Sequence, residues 1–342
     1  HRGREPPLTV AVSLTSPLWA DGASARRATA SDLPFSAEVV IVGGGYTGLW
    51  TAYYLLRERP EADVLVLEAD HVGFGASGRN GGWVSALWPV SPDTLARHAG
   101  RAGAVAQLAA LRDTVDEVGR VDGAEGFGSG FTKGGALVVA RTTAQEERAR
   151  AEVAHAAAWG GSTTWLDAGA TRERLAVAVT RGATFTPDCA RVHPRRLVDG
   201  LAGAVRRLGG RIVEGARVTR TGDRVVVLAD GRRVSAGAVI HATEGWSGTV
   251  SGQGRRVVPV YSLMVATEVI DDARWARIGL GSREVFSDHG HVVIYGQRTD
   301  DGRIAFGGRG APYHWRSAIR PEFDHDEAVF GALRSTLRDL LP

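Results

Sequence analysis

The sequence predicts an α/β protein in which a parallel-sheet lobe is interleaved with an α+β lobe built on an antiparallel sheet. Three observations predict it. Residues 38–67 read as strand, glycine turn, helix and strand. A helix and a run of strands with the same apolar character follow between residues 194 and 242. From Val257 onward, short strands alternate with turn signals and no helix separates them. Residues 36–90 and 185–256 form the first lobe on this reading, 91–184 and 257–342 the second, and 1–35 an N-terminal arm.

The arm is read from Trp19 to Leu33, which is rich in Ala, Ser, Thr and Arg and suits a surface-hugging segment. Leu8 to Ala20 is mildly apolar with Arg2 and Arg4 ahead of it, but Pro17 and the interspersed Ser and Thr argue against a signal peptide. No run approaches the eighteen or so apolar residues of a membrane span, so a cytoplasmic protein is expected.

Glu38-Val39-Val40-Ile41-Val42 has the β-branched, unalternating pattern of a buried parallel strand. It runs into Gly43-Gly44-Gly45-Tyr46-Thr47-Gly48, a G-x-G-x-x-G, and a helix to about Arg59 that Pro60 ends. Val64 to Leu67 is the next strand, and Glu68 follows it. That order suits a dinucleotide. Gly43 permits the tight turn, Gly45 lets backbone approach a pyrophosphate, and Gly48 lets helix pack on strand. The helix start, at Tyr46 and Thr47, offers N–H groups and positive dipole to phosphates. Glu68, twenty residues past Gly48, is placed to accept hydrogen bonds from the adenosine ribose.

Leu108, Leu111, Val115 and Val118 mark a long amphipathic helix after Pro92. Phe131–Ala140 reads as a strand, Thr142–Trp159 as a helix closed by Gly160-Gly161, and Asp167–Leu175 as a short helix. Pro194 opens a helix with an apolar face of Leu197, Leu201, Val205 and Leu208. Arg211–Thr219, Val225–Leu228 and Val234–Ala242 read as strands, with Asp230-Gly231 turning a hairpin. Val257–Ile270, Val285–Phe286, His291–Gln297 and Arg303–Gly307 complete an antiparallel sheet. His289 and His291 alternate on one face of it, but no third metal ligand is evident and no metal is expected. Ala332–Leu341 reads as an amphipathic helix ending at Pro342.

A net charge of +3 is too small to imply nucleic acid. Lys133 is the only lysine among 41 basic residues, a preference that fits codon bias better than an arginine-rich binding face. One cysteine, Cys189, excludes an internal disulfide and paired-cysteine redox chemistry.

After Glu68 the chain continues Ala69-Asp70-His71-Val72-Gly73-Phe74-Gly75-Ala76-Ser77-Gly78-Arg79-Asn80-Gly81-Gly82, where an NAD domain would enter another helix. Such a loop suits backbone wrapped closely around a large flat ligand. With VVIVGGGYTGLWTAYYL before it, this text resembles the FAD-dependent D-amino-acid oxidase-like flavoproteins, most of all their γ-glutamylputrescine oxidoreductase branch. The resemblance covers most of the chain from about Trp19 to Trp315. It implies a glutathione-reductase-type fold and FAD as cofactor. Residues from Ala69 and from Gly75, Ala76, Ser77, Gly78, Arg79, Asn80, Gly81 and Gly82 would line the flavin and its diphosphate. Val218 would contact the adenine, and Ala242 and Thr243 would lie near the dinucleotide. Glu244 departs from the usual Ala-Thr-Gly or Ala-Thr-Asn text. The later sheet would roof the flavin and offer Tyr261, His289, His291, Tyr295, Arg298 and Arg309 as substrate-pocket candidates.

The implied chemistry is oxidation of an amine C–N bond. A neutral primary or secondary amine, from a polyamine derivative or an amino acid, passes hydride to flavin N5. The resulting imine hydrolyses to an aldehyde or keto product, and O2 or another acceptor takes the electrons. No side-chain base is legible. Arg298 or Arg309 could clamp a carboxylate, whereas a polyamine would call for carboxylates or aromatic faces. Two other readings stand beside this one, a flavoprotein domain modifying tRNA wobble uridine and a flavin binder without turnover. A second glycine-rich strand–helix segment, which the resemblance places after residue 342, is absent from 322–342. The chain is therefore expected to be a fragment that binds FAD weakly. Oligomeric state is not legible.

Overall fold

A computed structural model describes residues 10–11, 17–20, 33–254 and 256–341. Most of the expected N-terminal arm lies outside the described residues. Within it, Trp19 is buried in a short 3-10 turn at Leu18–Ala20.

The first lobe is a six-stranded sheet. Its strands run in the order Val218–Gly222, Val225–Leu228, Arg233–His241, Ser36–Val42, Val64–Leu67 and Arg211–Val213. The last four are parallel, and the first two extend them as an antiparallel meander. Both faces are buried. Val39, Ile41, Val64 and Val66 meet the helices Tyr46–Glu58 and Pro194–Arg207 through Leu49, Ala52, Leu56, Leu201 and Val205. Val40, Val42, Leu65 and Leu67 pack on the other side with Val226, Leu228 and Val234. Burial on two faces is why these strands read as continuous apolar runs rather than alternating ones.

The second lobe is an eight-stranded sheet, in the order Val10–Ala11, Leu263–Thr267, Ile304–Gly308, Ile294–Arg298, Val285–Asp288, Ala136–Ala140, Gly182–Thr186 and Thr164–Asp167. It is antiparallel except where Val285–Asp288 lies parallel to Ala136–Ala140. The helix Glu327–Leu340 covers it with Phe330, Leu333, Leu337 and Leu340. A two-stranded ribbon, Trp83–Ser85 against Cys189–Arg191, joins the lobes where the chain crosses between them. Cys189 is fully buried there beside Ala136 and Val285.

Several expected strands are shorter than their apolar runs. Only Ala136–Ala140 forms from Phe131–Ala140, because Gly135 at φ +85° breaks the extended run and Thr132 bridges to Arg191 instead. Only Leu263–Thr267 forms from Val257–Ile270, since Pro259 cannot donate to a ladder. Arg211–Thr219 divides, because the N–H groups of Gly215 and Ala216 turn to the carbonyls of Asp70 and Glu68 at 2.9 and 2.8 Å. The expected lobe boundary at residue 185 falls inside the strand Gly182–Thr186, which belongs wholly to the second sheet. His289 and His291 sit in the connector between Val285–Asp288 and Ile294–Arg298, not on a strand face; Asp288 turns the chain there by accepting the Gly290 N–H at 3.0 Å. The long helix Pro92–Glu125 bends at Gly100. No described helix is long and apolar enough to cross a membrane.

Candidate cofactor and substrate site

A cavity of about 980 Å³ runs from the carboxyl ends of the parallel strands to the underside of the second sheet. That volume is at the upper end of the range for cofactor and ligand sites, about 300–1,000 Å³. Val42, Leu67 and Ala242 mark its floor, the position at which open α/β sheets bind ligands.

The glycine turn builds the middle of the cavity. Gly43 has φ +117°, and a Cβ there would overlap the Ala242 carbonyl oxygen. A Cβ on Gly48 would overlap the Gly43 carbonyl oxygen, so that glycine sits under the helix and does not line the cavity. Gly45, Tyr46 and Thr47 do line it. Gly45 is the N-cap of the helix but supplies no side-chain cap. The Tyr46 N–H donates instead to the Ser77 hydroxyl at 3.0 Å. The Tyr46 hydroxyl donates to the Pro194 carbonyl at 3.0 Å, and its burial raises the phenol pKa well above the ordinary value.

Glu68 forms one end. Its Oε2 accepts the Gly44 N–H at 2.8 Å and its Oε1 the Asp70 N–H at 2.9 Å. Burial pushes its carboxyl above the usual carboxylate range, opposed by those backbone donors. Ala69, Val218, Ala242 and Thr243 share this end of the lining. Glu244 also lines the cavity, at φ +44° and with its carboxylate accepting the Gly245 N–H at 2.8 Å.

The loop after Glu68 closes over the opposite wall through Gly75, Ala76, Ser77, Asn80 and Gly81. Asn80 holds it in shape. Its amide donates to the Ala76 and Ser77 carbonyls at 3.2 and 3.0 Å and accepts the Gly82 N–H at 2.7 Å. The Trp19 indole donates to the Asn80 carbonyl at 2.8 Å. The side chains of Ser77 and Asn80, in the loop that the resemblance sets around the flavin and its diphosphate, are thus engaged with protein backbone. Gly78, Arg79 and Gly82 lie behind the lining; Arg79 pairs with Asp324 at 3.0 Å and stacks over Phe74.

The far end is apolar and aromatic. Trp83, Leu87, Trp88, Val293, Ile294 and Tyr295 line it, with Arg309 at the rim. The Tyr295 ring is held between Gly81 and Gly307, where an added Cβ would come within 2.7 and 2.5 Å of ring atoms. Its hydroxyl pairs with Ser262 at 2.8 Å, and burial raises its pKa. Tyr261, His291 and Arg298 are not brought to the cavity. Tyr261 packs edge-on against the His314 and Phe323 rings, and His291 is exposed. Arg298, three residues beyond Tyr295, falls on the other face of the strand and stacks over Trp275 at 4.2 Å. Sequence reasoning missed Trp83, Trp88 and Trp246. The first two stand within six residues of the glycine loop, a proximity that could have flagged them.

These features fit a flavin dinucleotide. The acid lies at one end, a helix start capped only from the loop by Ser77 in the middle, and flat apolar walls at the other end. At Gly45 an added Cβ would project to within 2.9 Å of Ser77 Oγ, filling the groove between turn and loop. No group of three or more His, Cys, Asp or Glu side chains that could hold a metal occurs among the described residues.

Residues 38–342 match the family described as FAD dependent oxidoreductase, DAO. The chain is 30% identical over 289 residues to gamma-glutamylputrescine oxidoreductase of Escherichia coli (strain K12). That match covers 80% of this chain and 64% of the relative, so the chain spans less than two thirds of that protein. It is 29% identical to 4-methylaminobutanoate oxidase (formaldehyde-forming) of Paenarthrobacter nicotinovorans, over 70% of this chain and 28% of that one. Among solved structures, glycine oxidase from Geobacillus kaustophilus superposes with a TM-score of 0.68 at 20% identity, covering 90% of this chain and 79% of that one. L-proline dehydrogenase from P. horikoshii gives 0.66 at 18%, covering 90% and 80%. The structural likenesses carry the fold, and the family match covers both lobes around the cavity: the chain belongs to the DAO family of FAD-dependent oxidoreductases.

Proposed function

We propose that the chain binds FAD in this cavity and oxidises the C–N bond of a small amine or amino acid. The observation that carries the reading is the continuity of one cavity from Glu68 and the Gly43–Thr47 turn to the aromatic chamber under Tyr295. Gly43, Gly45 and the N–H groups of the helix start would hold the pyrophosphate, Glu68 the ribose and Val218 the adenine edge. Gly75, Ala76, Ser77, Asn80 and Gly81, with Trp83 and Tyr295, would flank the ring system. Bound flavin supplies the two-electron acceptor for the reaction.

The chain's own residues prepare the substrate. Trp83, Ile294 and Tyr295 would desolvate a bound substrate, which disfavours the ammonium form and favours an amine in its reactive neutral state. Arg309 is the cationic side chain at that end of the cavity and suits a substrate carboxylate. Tyr295 stays protonated at neutral pH and can donate a hydrogen bond but not act as base. The names of the relatives support an amine: one is named for gamma-glutamylputrescine, another for 4-methylaminobutanoate. Three others are L-2-hydroxyglutarate dehydrogenases, so the test includes hydroxy acids. Fluorescence titration with FAD, then anaerobic bleaching by a panel of amines, amino acids and 2-hydroxy acids, checks the reading. Bleaching by amines alone supports it, and bleaching by hydroxy acids alone overturns it.

A further inference from the structure

We infer that Gln297 is a positioning residue: from the roof sheet it fixes the cofactor loop, and through that loop the distance between the two lobes. The inference rests on the FAD reading only for its consequence, not for its geometry. Gln297 is 1% exposed, on the strand Ile294–Arg298. Its Nε2 donates to the Gly81 carbonyl of the loop at 2.8 Å and to the Val192 carbonyl of the inter-lobe connector at 3.2 Å. These two segments are also tied directly, since the Val192 N–H donates to the Gly82 carbonyl at 2.8 Å. Gly82 has φ +69°, and a Cβ there would overlap Gln297 Nε2 and the Val192 carbonyl oxygen. The amide therefore occupies the space a side chain at 82 would need.

The chemistry of the contact is specific. Two carbonyl oxygens converge on one nitrogen that carries two N–H donors, while Gln297 Oε1 is buried without a partner. A buried, unsatisfied acceptor is costly, so the side chain is held by what its nitrogen does. Two residues earlier on the same strand face, Tyr295 presses on Gly81. The clamp thus sets the separation between the Tyr295 ring and the loop that lines the cavity. Of the two amide side chains only glutamine has this reach, asparagine being one methylene shorter.

Replacement by Glu tests that. Ionised, the introduced carboxylate would face two carbonyl oxygens with no proton; neutral, it could satisfy one. The groups on the segments packed around it are Arg191 and His193 beside Val192, Arg79 ahead of Asn80, and Tyr295 on its own strand. Arg191 is paired with Asp300 at 2.6 Å, and Arg79 with Asp324 at 3.0 Å. Burial holds His193 below its ordinary range, helped by Arg196, and raises Tyr295. Gln297→Glu, Gln297→Leu and the parent chain are titrated with FAD between pH 5.5 and 8.5. Amide exchange of the unliganded proteins is followed in parallel. Expected is a loss of about tenfold in FAD affinity for Gln297→Glu at the alkaline end, shrinking toward acid pH when divided by the parent curve. Gln297→Leu should show a pH-independent loss, with faster exchange confined to residues 80–82 and 192. Affinities within twofold of the parent at every pH overturn the inference, as does exchange that rises equally across the whole chain. If the parent itself binds no FAD, the cofactor reading fails, and the exchange comparison alone decides the clamp.

Discussion

The Ser77 hydroxyl accepts the backbone N–H of Tyr46 at 3.0 Å across 31 residues. The cofactor loop therefore caps the very helix whose start the glycine turn leaves bare. A phosphate arriving there would compete with Ser77 for the same donor. Ser77→Ala should lower the stability of the unliganded protein by about 1 kcal/mol. FAD affinity should change less than that, because the phosphate can take over the freed N–H. Urea midpoints with and without FAD check this; an unchanged unliganded midpoint would show that water already serves that donor.

Gly45→Val and Gly48→Ala should fail differently. At 45 the added atoms fill the groove beside Ser77, so the purified chain should fold and be colourless. At 48 the Cβ overlaps the Gly43 carbonyl, and the helix must lift off the sheet. That variant should lose soluble expression or a large part of its cooperative unfolding signal. A normal yellow spectrum from Gly45→Val would remove the pyrophosphate from this turn.

Glu68→Ala should weaken FAD binding by about 1–3 kcal/mol, the value of a hydrogen bond to a charged acceptor. It should also loosen the turn, since Gly44 and Asp70 lose their shared acceptor. The pH dependence has a definite sign. Burial raises the folded-state pKa of Glu68, so the folded chain holds that proton more tightly than the unfolded one. The resulting stability is present below the ordinary carboxylate range and is lost as pH rises through the raised value. Relative to Glu68→Gln, the parent should lose stability from about pH 4.3 upward and then level off. Parallel curves for the two proteins would contradict the shift.

Arg309→Ala should raise KM for substrates that carry a carboxylate by about tenfold or more, leaving kcat nearly unchanged. Amines without a carboxylate should be unaffected. If both classes lose affinity equally, Arg309 shapes the rim rather than reading the substrate.

Much of the cofactor lobe was legible because it is local. Strand, glycines, helix, strand and Glu68 lie within about thirty residues, and each has its own sequence signal. The aromatic end of the cavity was less so. Tyr295 reaches it while Arg298 does not, and the difference depends on where the strand begins and which face the sheet buries. Trp83 and Trp88 follow the glycine loop directly, whereas Trp246 arrives from a segment about 160 residues later to stand by Phe74 and Gly75, and nothing in its spacing announces that it lines the same cavity. The partners of Ser77 and Asn80 were hidden for a related reason. Their hydroxyl and amide groups could serve a ligand or the backbone equally well, and only the folded loop decides. Pro259, by contrast, stood in the sequence, and the strand begins only after it, at Leu263.

Cys189 turns the ribbon between the lobes into an intrinsic reporter. Its thiol is fully buried, and burial pushes its pKa up to about 12, so the folded chain should be inert to alkylating reagents at neutral pH. With no second cysteine in the chain to complicate the signal, each labelling event would mark one opening of the packing of Cys189 against Ala136, Val285 and Trp83. The labelling rate would then measure how often this ribbon works loose from the second sheet. A ligand bound against Trp83 should slow that clock in proportion to how tightly it is held.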